Sequence, residues 1–262
     1  MQNLHSIQAR FAAGQLVRVM SFGALAHPKL VEIAAQLGDI HGIWIDQEHC
    51  AIPHAQLELL LMACRAGGLD AFARVAPTDY ATIMRPMEAG CSGIMAAQVR
   101  TREEVQQIVR WAKYPPQGVR GLFMSNAESK YGTVGAAEHV IKANAERWVA
   151  IQIETAEAVE IVDQIAGTAG VDWLFVGPAD LSSALGVPGE VLHPKCLEAL
   201  DQVAQACRRH GKPWGTLSRD PRHAVTCRKL GCQLFSLVGD MDLVHRGFVQ
   251  TKQMFAEFFD AT

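Results

Sequence analysis

Eight short apolar runs recur along the chain, and the stretches between them carry helix signals. The runs are Leu16–Met20, Gly42–Asp46, Ala71–Val75, Gly93–Ala97, Trp148–Ile153, Asp172–Gly177, Pro213–Leu217 and Leu234–Val238. Most are hydrophobic almost without interruption. That is the mark of strands covered on both faces by helices, whereas half-solvated strands alternate. Between them, Thr101-Arg102-Glu103-Glu104 has the form of a capping box ahead of Val105, Ile108 and Val109. Thr78-Asp79-Tyr80 opens another helix that Gly90 ends, and Leu197, Leu200, Val203 and Ala204 form one apolar helical stripe. Strand–helix alternation repeated eight times predicts an α/β fold, a (β/α)8 TIM barrel. An open doubly wound sheet is the competing arrangement, but eight clean units favour closure. The 262 residues suit a barrel formed as a single domain over 1–262, large enough to bury its core without staples.

Composition narrows the setting. Hydrophobic residues make up 49% of the chain, which rules out disorder, yet no run of about 18 apolar residues is present to span a membrane. Met1-Gln2-Asn3-Leu4-His5 lacks the basic and apolar regions of a signal peptide. The net charge of −3 argues against nucleic-acid and anionic-membrane partners, which call for a basic excess. The seven cysteines form no C-x-x-C pair and read as reduced core thiols of a cytoplasmic protein.

Two stretches depart from the regular pattern. About fifty residues separate the fourth and fifth runs, more than one helix needs, and the surplus holds Tyr114-Pro115-Pro116-Gln117-Gly118-Val119-Arg120-Gly121. Long irregular loops on a rigid scaffold are usually functional. At the C-terminus, Phe248, Phe255, Phe258 and Phe259 crowd the last fifteen residues. With Met241 and Val244, most of them fall along one side of a final helix. That is more apolar surface than a helix needs to pack on its own strands, and it predicts contact with another copy of the chain. The alternative is that the rings simply close the bottom of the barrel.

Chemistry in such a barrel sits at the C-terminal ends of the strands. There the runs lead to Asp46-Gln47-Glu48-His49, Arg74, Gln98, Gln152-Ile153-Glu154, Gly177-Pro178-Ala179-Asp180, Ser218-Arg219 and Gly239-Asp240. Glu154 and Asp180 come from adjacent strands, and two carboxylates brought together repel unless a cation or proton lies between them. A hard divalent cation fits, with Mg²⁺ or Mn²⁺ ahead of Co²⁺ or Zn²⁺; alternatively each acid caps the helix that follows it. His49 is a candidate general base, imidazole being the side chain suited to proton transfer near neutral pH, or else a loop histidine bonded to backbone. Arg74 offers a fork for a substrate carboxylate or a developing oxyanion, or else pairs with Asp46 or Glu48. None of the eight lysines ends a predicted strand, which disfavours a Schiff base. No nucleophile elbow or phosphate-binding loop is present.

At these residues the sequence resembles the class II, metal-dependent pyruvate aldolases, the HpcH/HpaI aldolases, such as 4-hydroxy-2-oxoheptane-1,7-dioate aldolase and 2-keto-3-deoxy-sugar-acid aldolases. The resemblance rests on Ile43-Trp44-Ile45-Asp46-Gln47-Glu48-His49, Ala73-Arg74-Val75, Tyr114 to Gly121, Val149 to Thr155, and Phe175-Val176-Gly177-Pro178-Ala179-Asp180-Leu181-Ser182. It implies that Glu154 and Asp180 bind the metal with Gln152 beside it, and that a 2-oxo acid chelates the metal. It implies that Arg74 holds the keto or enolate oxygen and that the Gly177-Pro178-Ala179 backbone contacts the carboxylate. His49 would act as base through a metal-associated water, supported by Asp46 and Glu48. An acid on the third helix, here Glu88 where relatives often have Asp, would reach His49 of a neighbouring subunit in a homohexamer that exchanges its C-terminal helices. Relatives often carry Trp in the first strand on the aldehyde side. Here that stretch has none, so Arg18 or Val19 is expected to alter which aldehyde fits.

The expected activity is cleavage of a 4-hydroxy-2-oxo acid to pyruvate or hydroxypyruvate and an aldehyde. A CoA-thioester lyase of the same superfamily, like malyl-CoA or citryl-CoA lyases, is the alternative within enzymes. It calls for a basic groove that the near-neutral charge does not suggest. A non-catalytic oligomer binding 2-oxo acids is the alternative outside enzymes.

Overall fold

The computed structural model describes residues 6–37 and 39–259; the Met1–His5 stretch read above for a signal peptide lies outside them. The strands are β1 (Val17–Phe22), β2 (Gly42–Asp46), β3 (Asp70–Val75), β4 (Gly93–Ala96), β5 (Trp148–Ile153), β6 (Trp173–Val176), β7 (Trp214–Leu217) and β8 (Leu234–Gly239). They close in sequence order, with β1 pairing to β8 and every neighbouring pair parallel. The open-sheet alternative is thereby excluded.

Each strand alternates between two cores, because successive side chains leave a strand on opposite faces. Val17, Val19, Trp44, Phe72, Met95, Trp148, Ala150, Trp173 and Phe175 fill the barrel itself. Met20, Phe22, Ile43, Ile45, Ala73, Val149 and Ile151 pack outward under the helices. The lower interior is aromatic, with ring centroids of Trp148 and Trp173 4.9 Å apart and those of Phe72 and Trp148 5.0 Å apart. Fully burying each such ring is worth about 1.5–3 kcal/mol. Gly93 makes room for this packing: a Cβ there would strike the Trp148 ring. The helix Ile7–Ala12 plugs the bottom, with Ile7 buried and Phe11 edge-on to Trp173 at 5.8 Å.

β1 runs two residues beyond the predicted run, since Ser21 interrupts the apolar pattern without ending the strand. This corrects the expectation for Arg18 and Val19. Val19 is buried low in the barrel, and Arg18 turns away at the lower end, its Nε donating to Asp39 O at 2.6 Å. The β1 residues that reach the rim are Ser21 and Phe22, followed by Gly23 and Ala24.

The surplus between β4 and β5 is a locked segment. Arg120 and Glu128, fully buried, pair at 2.5 Å, and Arg147 Nε lies 3.2 Å from Glu128. The Tyr114 hydroxyl lies 3.4 Å from Glu128 and 3.2 Å from His139 Nε2. The segment follows the helix Tyr80–Glu88, with Gly121 N–H donating to the Tyr80 hydroxyl at 2.7 Å. Unpairing either buried partner would cost about 3–5 kcal/mol. Within one chain none of this segment lines the cavity described below.

The C-terminal helices Asp240–Met254 and Ala256–Phe259 do not close the barrel. The first packs chiefly on the ends of β8 and β1. Phe248 and Phe258 are 73% and 82% exposed. The alternative in which the rings seal the barrel bottom is therefore overturned, that position being held by Ile7 and Phe11. No described helix is long and apolar enough to cross a membrane.

Candidate active site

The strand alternation that buries aromatics low in the barrel aims polar groups inward at the rim. Two residues above Trp44 comes Asp46, two above Phe72 comes Arg74, and above Ala150 come Gln152 and Glu154. Asp46, Arg74 and Gln152 meet at a cavity of ≈ 350 Å³ that is also lined by Ser21 to Ala24, His49, Gly177 to Asp180, Leu217, Arg219 and Gly239 to Asp242.

Glu154 is 1% exposed. Its Oε1 accepts the Gln98 backbone N–H at 2.8 Å and Gln98 Nε2–H at 3.2 Å, and its Oε2 accepts from Gln152 Nε2. Gln98 holds a left-handed φ of 54° to make both bonds, a conformation that costs about 1–2 kcal/mol outside glycine. Glu154 does not cap the next helix; the Thr155 hydroxyl does. Asp180 sits in the first turn of the helix Pro178–Ala184 and shares a second, more open cleft with Glu154, Gln98 and Arg100. Burial pushes the Glu154 carboxyl up to about 7, the Gln98 N–H opposes this, and the Glu48 and Asp180 charges add to it.

Three features fit a hard cation here. Two carboxylates face one space, the buried Gln152 Oε1 has no hydrogen-bond partner, and Gly177 lacks the Cβ that would crowd Glu154 and Gln152. Among the described residues no third His, Cys, Asp or Glu joins them. A cation held by Glu154 and Asp180 would keep positions for water or substrate.

Arg74 is fixed on the adjoining wall. Its Nε and Nη2 donate to Asp46 at 3.1 and 2.7 Å, its Nε lies 3.2 Å from Glu48, and its guanidinium stacks 4.8 Å over Trp44. The ion-pair reading of Arg74 therefore describes the structure, and the same arginine still lines the cavity. Burial alone would raise the Asp46 carboxyl. Arg74 and the N–H groups of His49 and Glu48 outweigh it and hold the carboxyl below its ordinary value. Burial holds Glu48 above its ordinary value.

His49 stands at the rim with its ring 60% exposed, and its Nε2 lies 3.8 Å from Glu48. Among the described residues that ring makes no hydrogen bond to backbone. Glu88 is not brought to this cavity within one chain. It lies at the end of its helix near Arg120, Glu128 and His54, with burial raising its carboxyl.

Three residues of the site were named above only as strand ends, Gln98, Arg219 and Asp240. Gln98 orients Glu154. Asp240 is buried and ties β8 to the loop after β1, its Oδ2 accepting from Gly23 and Leu25 N–H at 2.8 Å each. A carboxylate ending the last strand is the signal for Asp240. For Gln98, no signal distinguishes it from any polar residue after β4.

The fold and this polar rim define an α/β-barrel enzyme. The family model of the HpcH/HpaI aldolase/citrate lyase family matches residues 18–246. The chain is 33% identical over 214 residues to a 5-keto-4-deoxy-D-glucarate aldolase of Escherichia coli, covering 82% of each. The solved structure of an HpcH/HpaI aldolase from Desulfitobacterium hafniense superposes with a TM-score of 0.90 at 29% identity, covering 96% of both chains. The citrate synthase SbnG superposes with a TM-score of 0.86 at 27% identity, over 98% of this chain and 99% of that one. The chain belongs to the HpcH/HpaI aldolase/citrate lyase family, and it is an enzyme of the lyase kind.

Proposed function

We infer that the protein is a divalent-metal-dependent aldolase that reversibly cleaves 4-hydroxy-2-oxo acids to pyruvate or hydroxypyruvate and an aldehyde. The observation that carries this reading is the pair Glu154 and Asp180 facing one space beside the fixed guanidinium of Arg74. The sugar-acid aldolase among its relatives supports it. Among the described residues no lysine lines the cavity, which supports a route without a Schiff base. Among the described residues Arg74 and Arg219 are the permanent cations that line it, a poor match for the phosphates of a CoA thioester.

Cleavage removes the proton of the 4-hydroxyl, breaks the C3–C4 bond, releases the aldehyde and leaves the electron pair on the keto-acid half as an enolate. Glu154 and Asp180, with Gln152 beside them, would hold a divalent cation, which when bound would supply positive charge to stabilise the enolate. Arg74 presents its guanidinium to the developing oxyanion, and Asp46 keeps it from turning away. His49 takes the hydroxyl proton. Of the three residues from Gly177 to Ala179, Gly177 N–H is bound to Ile153 O at 3.3 Å, and proline has no N–H. Of the three backbone positions that the resemblance assigns to the substrate carboxylate, Ala179 is the one with an N–H to offer it.

The exposed phenylalanines and the open His49 ring support a homo-oligomer, a hexamer in which C-terminal helices are exchanged and Glu88 of one chain faces His49 of the next. Six of the seven cysteines are buried in the core, a use that goes with a cytoplasmic setting. The test couples pyruvate release from 4-hydroxy-2-oxo acids to lactate dehydrogenase. Activity is expected to vanish with a chelator and return with Mg²⁺ or Mn²⁺, ahead of Co²⁺ or Zn²⁺. Full turnover by chelator-treated enzyme would sink the reading.

A further inference from the structure

A guanidinium forked onto a carboxylate resists sliding within its own plane, yet it can still tilt out of that plane. Arg74 is forked onto Asp46 in this way. Tilting would aim its remaining N–H groups away from the oxygen they serve. The structure places a stop against that motion. β2 and β3 pair Asp46 with Arg74 and Trp44 with Phe72, so Trp44 faces the barrel interior one layer below Arg74. Its indole is buried, lines the cavity, and has its ring centre 4.8 Å from the guanidinium carbon. The ring is itself pinned. Its Nε1–H donates to Ser236 Oγ at 2.8 Å, and Phe175 packs against it with ring centroids 6.3 Å apart. Ser236 stands fully buried on β8, and among the described residues this is the one hydrogen bond its hydroxyl makes. The bond reaches across β1, where Ser21 pairs with Trp44 and Val19 pairs with Ser236. A hydroxyl buried in an apolar layer costs free energy unless it is bonded, and the mechanism above uses neither Ser236 nor Trp44.

We propose that Trp44 is a positioning residue for Arg74 and that Ser236 acts through it, the two together fixing the plane in which the guanidinium meets the oxyanion. The inference rests on the aldolase reading, in which Arg74 serves that oxyanion. Asp46, itself held by the N–H groups of Glu48 and His49, fixes one edge of the guanidinium. Trp44 fixes its face. Nη1 is left over for the cavity, since among the described residues no protein acceptor meets it. A cation over an indole is attracted by the ring quadrupole, and more strongly where water is excluded, so the contact holds the guanidinium as well as bounding it. Donors set in place beforehand need no reorganisation when charge develops. Losing the ring therefore weakens the transition state more than the bound substrate, and the loss belongs in kcat rather than KM.

The test uses the full-length protein with Mg²⁺ and follows pyruvate release from 4-hydroxy-2-oxobutanoate or 4-hydroxy-2-oxopentanoate, whichever the wild type cleaves faster. Trp44→Leu is expected to lower kcat about tenfold, with KM within about twofold of the wild type. Ser236→Ala leaves the ring but frees it to turn. It is expected to lower kcat about threefold, and to cost nothing further once Trp44→Phe has removed the indole N–H. In Arg74→Lys, whose ammonium has no plane to set, adding Trp44→Leu should cost less than about twofold more. Thermal unfolding checks that each variant folds, and the Ser236→Ala and Trp44→Phe pair decides if Trp44→Leu does not. Wild-type kcat in Trp44→Leu, or a change in KM alone, overturns the positioning role and leaves the aldolase reading standing. So does the same loss repeated in full in Arg74→Lys, because Trp44 would then act without the guanidinium. A Ser236→Ala loss that persists in Trp44→Phe overturns the part given to Ser236. Near-normal turnover by Arg74→Lys, or a wild type that cleaves neither substrate, overturns both the inference and the reading beneath it.

Discussion

Cutting the chain before Phe248 removes four exposed phenylalanines. Phe248, Phe255, Phe258 and Phe259 are 73%, 49%, 82% and 54% exposed. Fully burying one phenylalanine is worth about 1.5–3 kcal/mol, so the exposed parts of the four rings carry about 4–8 kcal/mol. A two-fold exchange of helices buries both copies, about 8–15 kcal/mol per pair, against an association cost of about 4–15 kcal/mol. The rings therefore decide whether the pair holds. The large apolar side chains that the cut leaves exposed on this helix, Met241, Leu243 and Val244, are only 53%, 45% and 40% exposed. Light scattering at micromolar concentration is expected to find the full chain as a hexamer and the truncated chain as smaller or aggregated species. Pyruvate release should fall in parallel, because Glu88 of one chain no longer meets His49 of the next. Phe258→Asp is the milder version: it removes about 1–2.5 kcal/mol per copy and should shift dissociation to higher protein concentration with the barrel intact. A native monomer with full turnover would refute both the exchange and the shared site.

Glu154→Gln or Asp180→Asn should weaken metal binding, read by calorimetry, and lower kcat/KM at least about 10²-fold. His49→Ala should lower kcat by roughly 10²–10⁴ while sparing metal affinity; loss of metal binding in that variant would make His49 a ligand instead. Arg74→Lys should be nearly as damaging, since an ammonium cannot hold Asp46 and an oxyanion in one plane; near-normal turnover would reduce Arg74 to a structural partner of Asp46. Asp46 has a native pKa held below its ordinary value, so it contributes stability that is present above the unfolded value and lost as pH falls through the native one. Urea unfolding of Asp46→Asn should show lower stability at neutral pH and a flatter acid limb, and an acid limb as steep as that of the wild type would argue against this account.

What could be read from the sequence follows from one periodicity. Strand side chains alternate, so Trp44 then Asp46, Phe72 then Arg74, and Ala150 then Gln152 already state that the barrel is aromatic below and polar above. That is why β5, β6 and the placement of Glu154, Asp180 and Arg74 were legible. β1 was not, because Ser21 looks like the end of a strand and is instead its inward-facing top. The error moved Arg18 toward the rim and hid Ser21 to Ala24. The wall where β8 meets β1 is illegible for a different reason: its contacts join residues remote in sequence, Gly23 to Asp240 across 217 positions. Closure of a barrel creates such contacts, and no local pattern encodes them. The segment after Tyr114 misleads in the opposite sense. Its charges suggest a solvated functional loop, yet Arg120 and Glu128 pair with no exposure at all. An arginine in a long loop therefore says little until its partner is known. Arg120 is consumed by Glu128, Arg74 by Asp46, and Arg219 alone among these three keeps both Nη groups without a protein acceptor among the described residues. That difference is invisible in a list of arginines, because each guanidinium's partner is brought to it only when the chain folds.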